Sequence, residues 1–255
     1  MSDVWDDSLL TNPHAVSDKR RRVQKMFAAI APSYDLNNRL HSFWMDQSWR
    51  RRAVKLAALK PNDRVVDVAC GTGDLTLAFF DGFAGAHLDP GTLIGIDFTH
   101  EMLPIAAEKW RRKNGGGPTV CFLGGDAQSL PLPDACCDVV SIAFGIRNVV
   151  DPSAAMREFF RILKPGGRLI ILEFGIPTNP LFRALYNFYF KQILPRTATL
   201  ISGDKTGAYK YLPTSVRTFI DRETMANMMR QNGFNEVAQF PLTMGICICY
   251  RGIKV

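Results

Sequence analysis

One stretch of the sequence, VVDVACGTGDLT at residues 65–76, constrains the fold more than any other. A β-branched apolar run is followed by Gly71-Thr72-Gly73, and a helix-like apolar pattern comes after the glycines. Strand, glycine turn and helix in this order are typical of the first βα unit of a doubly wound sheet. Glycines let a ligand approach the backbone closely, and the first helical turn offers unpaired N–H groups. The stretch therefore predicts a nucleotide-type binding loop.

The charges around this loop indicate which ligand it holds. A dinucleotide fingerprint requires a third glycine where this chain has Thr76. Asp67 lies in the strand and Asp74 follows the second glycine, so two carboxylates would repel a pyrophosphate. A cationic ligand without phosphate suits them better, and S-adenosylmethionine is such a ligand. The loop alone also fits a generic βα turn of any Rossmann-like protein.

The composition limits the class of protein. With 255 residues, 47% of them hydrophobic, the chain can build one sizeable α/β domain with additions. No apolar stretch approaches the roughly 20 residues of a membrane-spanning helix, and no secretion signal is visible, so we expect a cytoplasmic protein. The six cysteines show no zinc spacing, and we expect no metal. The net charge of +7 suits nucleic acid, an anionic membrane surface, or simply solvated helix faces.

The pattern along the chain predicts one domain. Residues 1–17 lack periodicity and predict a disordered or loosely attached tail, before a single domain over residues 18–255. Within that domain, residues 18–60 predict lid helices, and residues 175–220 predict a substrate-side insertion rich in aromatics. The alternating pattern predicts a mainly parallel sheet that ends in an antiparallel pair. The seven predicted strands are 65–68, 92–96, 120–123, 137–144, 168–174, 234–240 and 244–254.

Several further motifs occur in the order of one enzyme family. They are YDLNNRLHSFWMDQSWRR at 34–51, FGIRNV at 144–149, LKPGGRLIILEF at 163–174, ISGDKTGAYKYLPTSVRTF at 201–219 and TMGICICYRGIKV at 243–255. With the glycine loop, this set closely resembles the ubiquinone/menaquinone biosynthesis C-methyltransferases, from about residue 23 to the C-terminus. The resemblance implies an α/β, Rossmann-like class I methyltransferase fold. That fold has a seven-stranded, mainly parallel sheet with a C-terminal antiparallel strand, helices on both faces and an N-terminal helical lid.

The resemblance also implies an activity and its ligands. Members of the family methylate a ring carbon of a polyprenylated quinol, and we expect demethylmenaquinol here, with the ubiquinol precursor as a second substrate. S-adenosylmethionine would be the methyl donor and S-adenosylhomocysteine the product, without a metal. The residues expected at the cofactor are Asp67, Gly71, Thr72, Gly73, Asp97, Asp126, Ala127 and Ala143.

Two of these cofactor residues have specific expected roles, and two positions depart from the family pattern. Asp97 ends the second predicted strand, where a carboxylate accepts both ribose hydroxyls, and Asp126 would lie near the exocyclic amine of the adenine. Many relatives have glycine where this chain has Cys70, and serine where it has Ala143. Any contact at Ala143 would therefore use backbone atoms.

The chemistry of ring methylation indicates candidate catalytic residues. A ring carbon becomes nucleophilic when the adjacent hydroxyl loses its proton, and a nearby cation favours the phenolate. We expect Arg147 to stabilise the phenolate, with Asn148 orienting it; the alternative for Arg147 is a salt bridge that holds the loop. We expect water, Asp35 or His41 to accept the proton of the quinol hydroxyl. The residues expected to contact the substrate are Tyr34, Trp44, Phe144, Tyr186 and Tyr209.

Other functions and partners are compatible with parts of the same sequence. Methyltransferases of exocyclic base nitrogens usually carry an Asn/Asp-Pro-Pro-aromatic motif after strand four; this chain has FGIRN there, so we expect no nucleic acid partner. A methyltransferase of another small phenol or of a sterol-like lipid fits the same core. A non-catalytic quinone-binding protein is also conceivable, although the intact cofactor loop argues against it. A homodimer is a further partner to consider.

A lipid substrate would bring the protein to a membrane. We expect peripheral docking on the inner face of an anionic membrane through the arginines at 20–22 and 50–52. Phe43, Trp44 and Trp49 would insert at the headgroup level. The alternative is that these aromatics pack on the sheet and the arginines are merely solvated.

Overall fold

A mixed seven-stranded sheet forms the centre of the computed structural model, which describes residues 4–255. Its strands are β1 (Val65–Val68), β2 (Leu93–Asp97), β3 (Val120–Gly124), β4 (Cys137–Ala143), β5 (Leu163–Phe174), β6 (Phe234–Leu242) and β7 (Cys247–Lys254). Their order across the sheet is β3-β2-β1-β4-β5-β7-β6. Strands β1 to β5 are parallel, and β7 lies antiparallel between β5 and β6. The predicted fold class is therefore confirmed, including the antiparallel pair.

Helices cover the sheet, and a group of them precedes β1. They are α1 (Lys19–Ile30), α2 (Tyr34–His41), α3 (Met45–Ala57), α4 (Asp74–Gly85), α5 (Leu103–Asn114), α6 (Pro152–Ile162), α7 (Pro180–Phe188), α8 (Leu194–Ser202), α9 (Ala208–Thr218) and α10 (Arg222–Gln231). A π-helical turn, Tyr189–Ile193, joins α7 to α8. Across residues 4–255, each helix is too short or too polar to cross a bilayer.

The central strands are apolar because both of their faces are covered. All four residues of β1 are buried, and so is most of β4. A strand covered on both faces reads as a continuous apolar run and not as an alternating one. One buried cluster joins the sheet to α6 and α10, and another joins it to α3 and α4.

The strand order reverses between β1 and β4, and this reversal creates the binding edge. The chain runs outward from β1 through β2 to β3, then returns to β4 on the other side of β1. Ligands of open α/β sheets bind at such a switch point, beyond the carboxyl ends of the strands. The two loops meet there: a Cβ on Gly145 would lie only 2.7 Å from the Cβ of Ala69.

The N-terminal segment packs on the domain, which corrects the predicted loose tail for residues 4–17. The Trp5 side chain is 1% exposed, and its ring centroid lies 4.6 Å from that of Tyr211 in α9. The backbone N–H of Trp5 donates to the carbonyl oxygen of Thr206 at 3.0 Å. A single tryptophan among polar residues has no period to detect, yet it fills an apolar cluster between α1 and α9. Residues 1–3 of the predicted tail lie outside the described part of the chain.

The predicted lid residues form three separate helices, with a sharp turn between the second and third. Phe43 and Trp44 have φ angles of 52° and 60°, a left-handed conformation that is uncommon for bulky residues. Both side chains are largely exposed, at 67% and 57%. The turn therefore presents two aromatic rings to solvent, beside the helices α7 and α8.

Candidate active site

The glycine loop follows β1 and leads into α4. Gly71 and Gly73 have φ angles of 55° and 83°, in the left-handed region that favours glycine. A Cβ on Gly73 would also lie 3.0 Å from the Cβ of Ala106 and 3.2 Å from the ring of Phe122. Only glycine satisfies both demands there. Gly73 thus fixes the turn and the start of α4, and it does not line the spaces described below.

Asp97 ties the glycine loop to the end of β2. Its carboxylate accepts hydrogen bonds from the backbone N–H groups of Gly71 and Thr99, both at 2.7 Å. Burial raises the pKa of Asp97, although the two N–H groups counteract this rise. Each carboxylate oxygen has a second lone pair, which leaves Asp97 able to accept ligand hydroxyls.

A crevice of about 110 Å³ lies beside Asp97 and brings most of the predicted cofactor residues together. The predicted residues that line it are Gly71, Asp97, Asp126, Ala127 and Ala143. Helix α1 covers it through Arg20, Val23 and Phe27, which sequence reasoning missed. Arg20 makes an ion pair with Asp126 at 2.9 Å and lies 4.5 Å above the ring of Phe98. Asp126 therefore contacts the lid as well as the crevice.

A smaller space continues behind the glycine loop, and Asp67 and Thr72 line it. Asp67 accepts hydrogen bonds from the hydroxyls of Thr76, at 2.7 Å, and Ser141, at 2.8 Å. Burial raises the pKa of Asp67 to about 6. The carboxyl thus joins β1 to β4 and α4, which is a positioning task that the sequence did not reveal.

A network of charges closes α2 over the glycine loop. Lys109 of α5 forms ion pairs with Asp35 at 2.5 Å and with Asp74 at 2.6 Å. Arg39 pairs with Asp74 at 3.2 Å, and the Thr72 hydroxyl donates to Asp35 at 2.6 Å. Burial alone would raise the pKa of Asp74, but the surrounding cations hold it below its ordinary value. The charge of Asp74 is therefore balanced by protein cations and not reserved for a ligand.

This network bears on one of the catalytic predictions. Asp35 lines none of the three spaces at this edge of the sheet, and both of its oxygens are engaged by Thr72 and Lys109. Its position argues against Asp35 as the proton acceptor. Asp35 instead holds the lid to the loop. Neither Lys109 nor its spacing carried a signal in the sequence, because the pair forms only when α2 folds over α5.

An apolar cavity of about 440 Å³ lies between the lid helices and α7 to α9. Four of the five predicted substrate residues line it: Tyr34, Phe144, Tyr186 and Tyr209. Trp44 does not, because the left-handed turn directs it to solvent. Phe174, Phe190 and Tyr189 add to the aromatic wall. The predicted aromatic insertion therefore supplies one side of this cavity.

Arg147 lies at the cavity wall in a buried ion pair. Its Nη1 donates to the Glu173 carboxylate and to the Phe144 carbonyl oxygen, both at 2.7 Å. Its guanidinium also lies 5.3 Å from the centre of the Phe174 ring. The salt bridge considered from the sequence is thus present, and the same guanidinium still borders the cavity. Glu173, which sequence reasoning missed, is the acid of the LEF motif at the end of β5.

Asn148 and His41 are both held by neighbours. The Asn148 side chain accepts from the Tyr211 hydroxyl at 2.8 Å and donates to the Phe144 carbonyl oxygen at 3.3 Å. Asn148 lines the crevice, whereas His41 lines the apolar cavity. The His41 ring nitrogens lie 2.9 Å from the Asn37 carbonyl oxygen and 2.8 Å from the Thr197 hydroxyl.

Two of the predicted membrane contacts, Trp49 and Arg50, are internal. Trp49 is buried and donates to the Thr243 hydroxyl at 2.8 Å. Arg50 is buried against the glycine loop, and Arg20 and Arg22 are engaged in ion pairs. These placements remove Trp49 and Arg50 from the expected docking elements, whereas the arginines at 21, 51 and 52 are exposed. Clustered arginines in a sequence do not reveal which side of a lid helix faces the site.

The crevice beside Asp97 and the small space behind the glycine loop are neighbours. The crevice offers the Asp97 carboxylate, and it shares Tyr34, Ala69, Gly71 and Ala143 with the small space behind the loop. One lid residue, Tyr34, and residues at the ends of β1 and β4 therefore border both spaces, which form one continuous path. In residues 4–255, no group of three or more His, Cys, Asp or Glu side chains could hold a metal ion.

Comparison with solved structures supports the assignment of the fold. An S-adenosylmethionine-dependent methyltransferase from Thermotoga maritima, described as a possible histamine N-methyltransferase, shares the fold with a TM-score of 0.59. It is 24% identical, and the match covers 91% of this chain and 100% of that one. The fold, with a glycine loop after β1 and an acid at the end of β2, is that of a Rossmann-like methyltransferase.

Sequence comparison then gives the particular family. The chain belongs to the ubiE/COQ5 methyltransferase family, whose model matches residues 15–254. The ubiquinone/menaquinone biosynthesis C-methyltransferase UbiE of Geobacter sp. strain M21 is 42% identical over 243 residues, covering 94% of this chain and 100% of the relative. The demethylmenaquinone methyltransferase of Thermus thermophilus is 45% identical over 227 residues, covering 89% and 99%. The predicted family and enzyme class, an S-adenosylmethionine-dependent methyltransferase, are confirmed.

Proposed function

We propose that this protein transfers the methyl group of S-adenosylmethionine to a ring carbon of a polyprenylated quinol, with demethylmenaquinol as the main substrate. The names of the Geobacter and Thermus relatives support this reaction in quinone biosynthesis. The ubiquinol precursor is a second substrate within the proposal. S-adenosylhomocysteine is the second product, and no metal takes part.

One observation carries the proposal: the crevice and the apolar cavity meet. Phe27, Tyr34 and Phe144 line both of them. A cofactor on the Asp97 side and an apolar ring on the Tyr186 side would therefore face each other across these three rings. Holding the reacting atoms about 3–3.5 Å apart supplies much of the rate in such transfers.

Arg147 supplies the charge that the acceptor ring needs. When bound, the cofactor provides an electrophilic methyl group, so the protein must make the ring carbon electron-rich. A free phenol has a pKa of about 10, and a cation beside the hydroxyl favours the phenolate. The Glu173 carboxylate and the Phe144 carbonyl oxygen fix the orientation of the Arg147 guanidinium. Asn148 accepts from Tyr211 and thereby ties the same loop to α9.

The proton of the quinol hydroxyl leaves through water or His41 in this proposal. His41 lies on the wall of the cavity, whereas Asp35 does not. In the neutral tautomer with the proton on Nδ1, the His41 ring donates to the Asn37 carbonyl oxygen, and Nε2 has a free lone pair. In that tautomer Nε2 accepts from the Thr197 hydroxyl and can exchange that partner for water.

The decisive experiment uses purified protein, methyl-labelled S-adenosylmethionine and short-chain quinols. We expect label in the ring of reduced demethylmenaquinone and, at a lower rate, in the ubiquinol precursor. The alternative is methylation of another small phenol or a sterol-like lipid, which fits the same fold. Label in a simple phenol or sterol without label in either quinol would replace the proposed substrate by that class.

The proposal places the protein in the cytoplasm, on the inner face of an anionic membrane. The mouth of the apolar cavity supports this placement: Phe43, Leu185, Phe188 and Ile193 line the cavity and are exposed to solvent. We call these four residues the cavity rim. A polyprenyl chain could pass from a bilayer across the rim without crossing water.

The charge around the rim suits anionic lipid. Residues 174–203, which include α7 and α8, contain Arg183, Lys191 and Arg196 but no Asp or Glu. All three basic side chains are exposed. Each contributes about 1 kcal/mol near an anionic surface. A homodimer through the same rim is the competing use of this surface.

A further inference from the structure

Arg50 differs from its neighbours on α3. The side chains of Arg51 and Arg52 are exposed, whereas Arg50 is only 6% exposed. Its guanidinium lies 5.3 Å from the centre of the Phe144 ring. It lines both the apolar cavity and the small space behind the glycine loop. A buried cation at this junction requires an anionic partner.

Residues 4–255 supply no hydrogen-bond partner for the buried Nε of Arg50, although two carboxylates lie at ion-pair distance. The Arg50 Nε makes no hydrogen bond there, although it is fully buried. The nearest carboxylate oxygens, from Asp46 and Asp74, are 3.9 and 4.0 Å away. Asp74 is already engaged by Lys109 at 2.6 Å and by Arg39 at 3.2 Å. Within the described chain, Arg50 therefore retains hydrogen-bonding capacity toward the small space.

The path of the ligand points the anionic group toward Arg50. The crevice at Asp97 suits the ribose, and the path continues past Gly71 into the space that Arg50 lines. A ligand whose nucleoside lies in the crevice therefore extends its other end toward Arg50. In S-adenosylmethionine that end carries an ammonium group and a carboxylate, and the carboxylate is its only anionic group.

We propose that Arg50 binds the carboxylate of the amino-acid end of S-adenosylmethionine and selects against its decarboxylated form. This inference rests on the proposed cofactor and is independent of the methyl acceptor. A guanidinium offers a planar pair of donors that matches a carboxylate, which a lysine ammonium does not. Arg50 is thus a specificity residue of the cofactor site, supplied by the lid.

The test is titration calorimetry with two ligands, S-adenosylmethionine and decarboxylated S-adenosylmethionine. We expect the wild-type protein to prefer the carboxylated ligand by about 10- to 100-fold, the range of a hydrogen bond between charged groups. Arg50→Gln should lower affinity for S-adenosylmethionine by a similar factor and leave the decarboxylated ligand nearly unchanged or tighter. Arg50→Lys should restore only part of the preference. Arg51→Gln, on the same helix, is the matched control.

The outcomes are distinct. Equal weakening of both ligands by Arg50→Gln, with a normal melting temperature, would show that Arg50 only supports the loop. An unchanged preference in Arg50→Gln would also overturn the inference. Should wild-type protein bind neither ligand, both this inference and the proposed cofactor are wrong. Preference for S-adenosylmethionine without quinol methylation would uphold Arg50 and refute the proposed substrate.

Discussion

The cavity rim yields the prediction with the clearest magnitude. Leu185 and Phe188 are one turn apart on α7, and their side chains are 63% and 58% exposed. Full burial of such a side chain contributes about 1.5–3 kcal/mol. With roughly three-fifths of each still available, the double change Leu185→Ser/Phe188→Ser should weaken membrane binding by about 2–4 kcal/mol, or roughly 30- to several hundredfold.

Vesicle sedimentation measures this loss. Wild-type protein should bind vesicles containing phosphatidylglycerol more tightly than neutral vesicles, and the difference should shrink at high salt. Lys191→Gln/Arg196→Gln should remove most of the salt dependence and leave apolar binding in place. Val255→Ser is the matched control, because Val255 is an exposed apolar residue that follows the end of β7 and does not belong to the rim.

Two results would refute the reasoning. If the Leu185→Ser/Phe188→Ser variant binds anionic vesicles as well as wild type, the rim is not the docking surface. If wild-type protein is a dimer that ignores vesicles, and the same variant is a monomer, the rim is a dimer interface instead. Light scattering on the same samples separates these outcomes.

Three further predictions concern buried groups. Arg147→Ala should lower turnover by about a hundredfold, or about 3 kcal/mol, and Arg147→Lys should recover only part; unchanged single-turnover rates would leave Arg147 with its salt bridge alone. Because the folded-state pKa of Asp67 is raised from 3.8 to about 6, its contribution to stability is complete below pH 3.8 and is lost as the pH rises through 6. Asp67→Asn should therefore gain up to about 3 kcal/mol relative to wild type between pH 4 and 7, as measured by denaturant unfolding; a difference independent of pH would contradict the shift. Trp5→Ala should lower the free energy of unfolding by about 3–5 kcal/mol, since it leaves a cavity at a buried site. A neutral effect would support the loosely attached tail that the sequence predicts.

The sheet could be predicted because its signal is local. The apolar runs of β1 and β4, the glycine turn and the Pro-Gly-Gly turn near Lys164 each report on adjacent residues. The predicted start of β5 is five residues late, because Leu163 already pairs with Cys137 ahead of a register shift. Apolar and turn patterns in the sequence thus predict the order of the elements but not every boundary.

The lid could not be predicted in the same way. Its contacts join residues far apart in the chain, such as Asp35 with Lys109 and Arg20 with Asp126. A charged residue in a sequence shows neither its partner nor the direction of its side chain. The sequence therefore predicts a membrane contact for Arg50 and proton transfer for Asp35, whereas the structure places both within the lid. The left-handed turn at Phe43 and Trp44 contains no glycine, so the sequence does not predict it.

The ion pairs of the lid carry a consequence for exchange of molecules with solvent. The ion pair between Arg20 and Asp126 holds α1 across the crevice, and the ion pair between Lys109 and Asp35 holds α2 beside it. A ligand bound beneath these helices can dissociate only after these ion pairs break. Salt weakens exposed ion pairs, so added salt should hasten departure. Opening of the lid would then limit the turnover rate, and methyl transfer would be faster than product release.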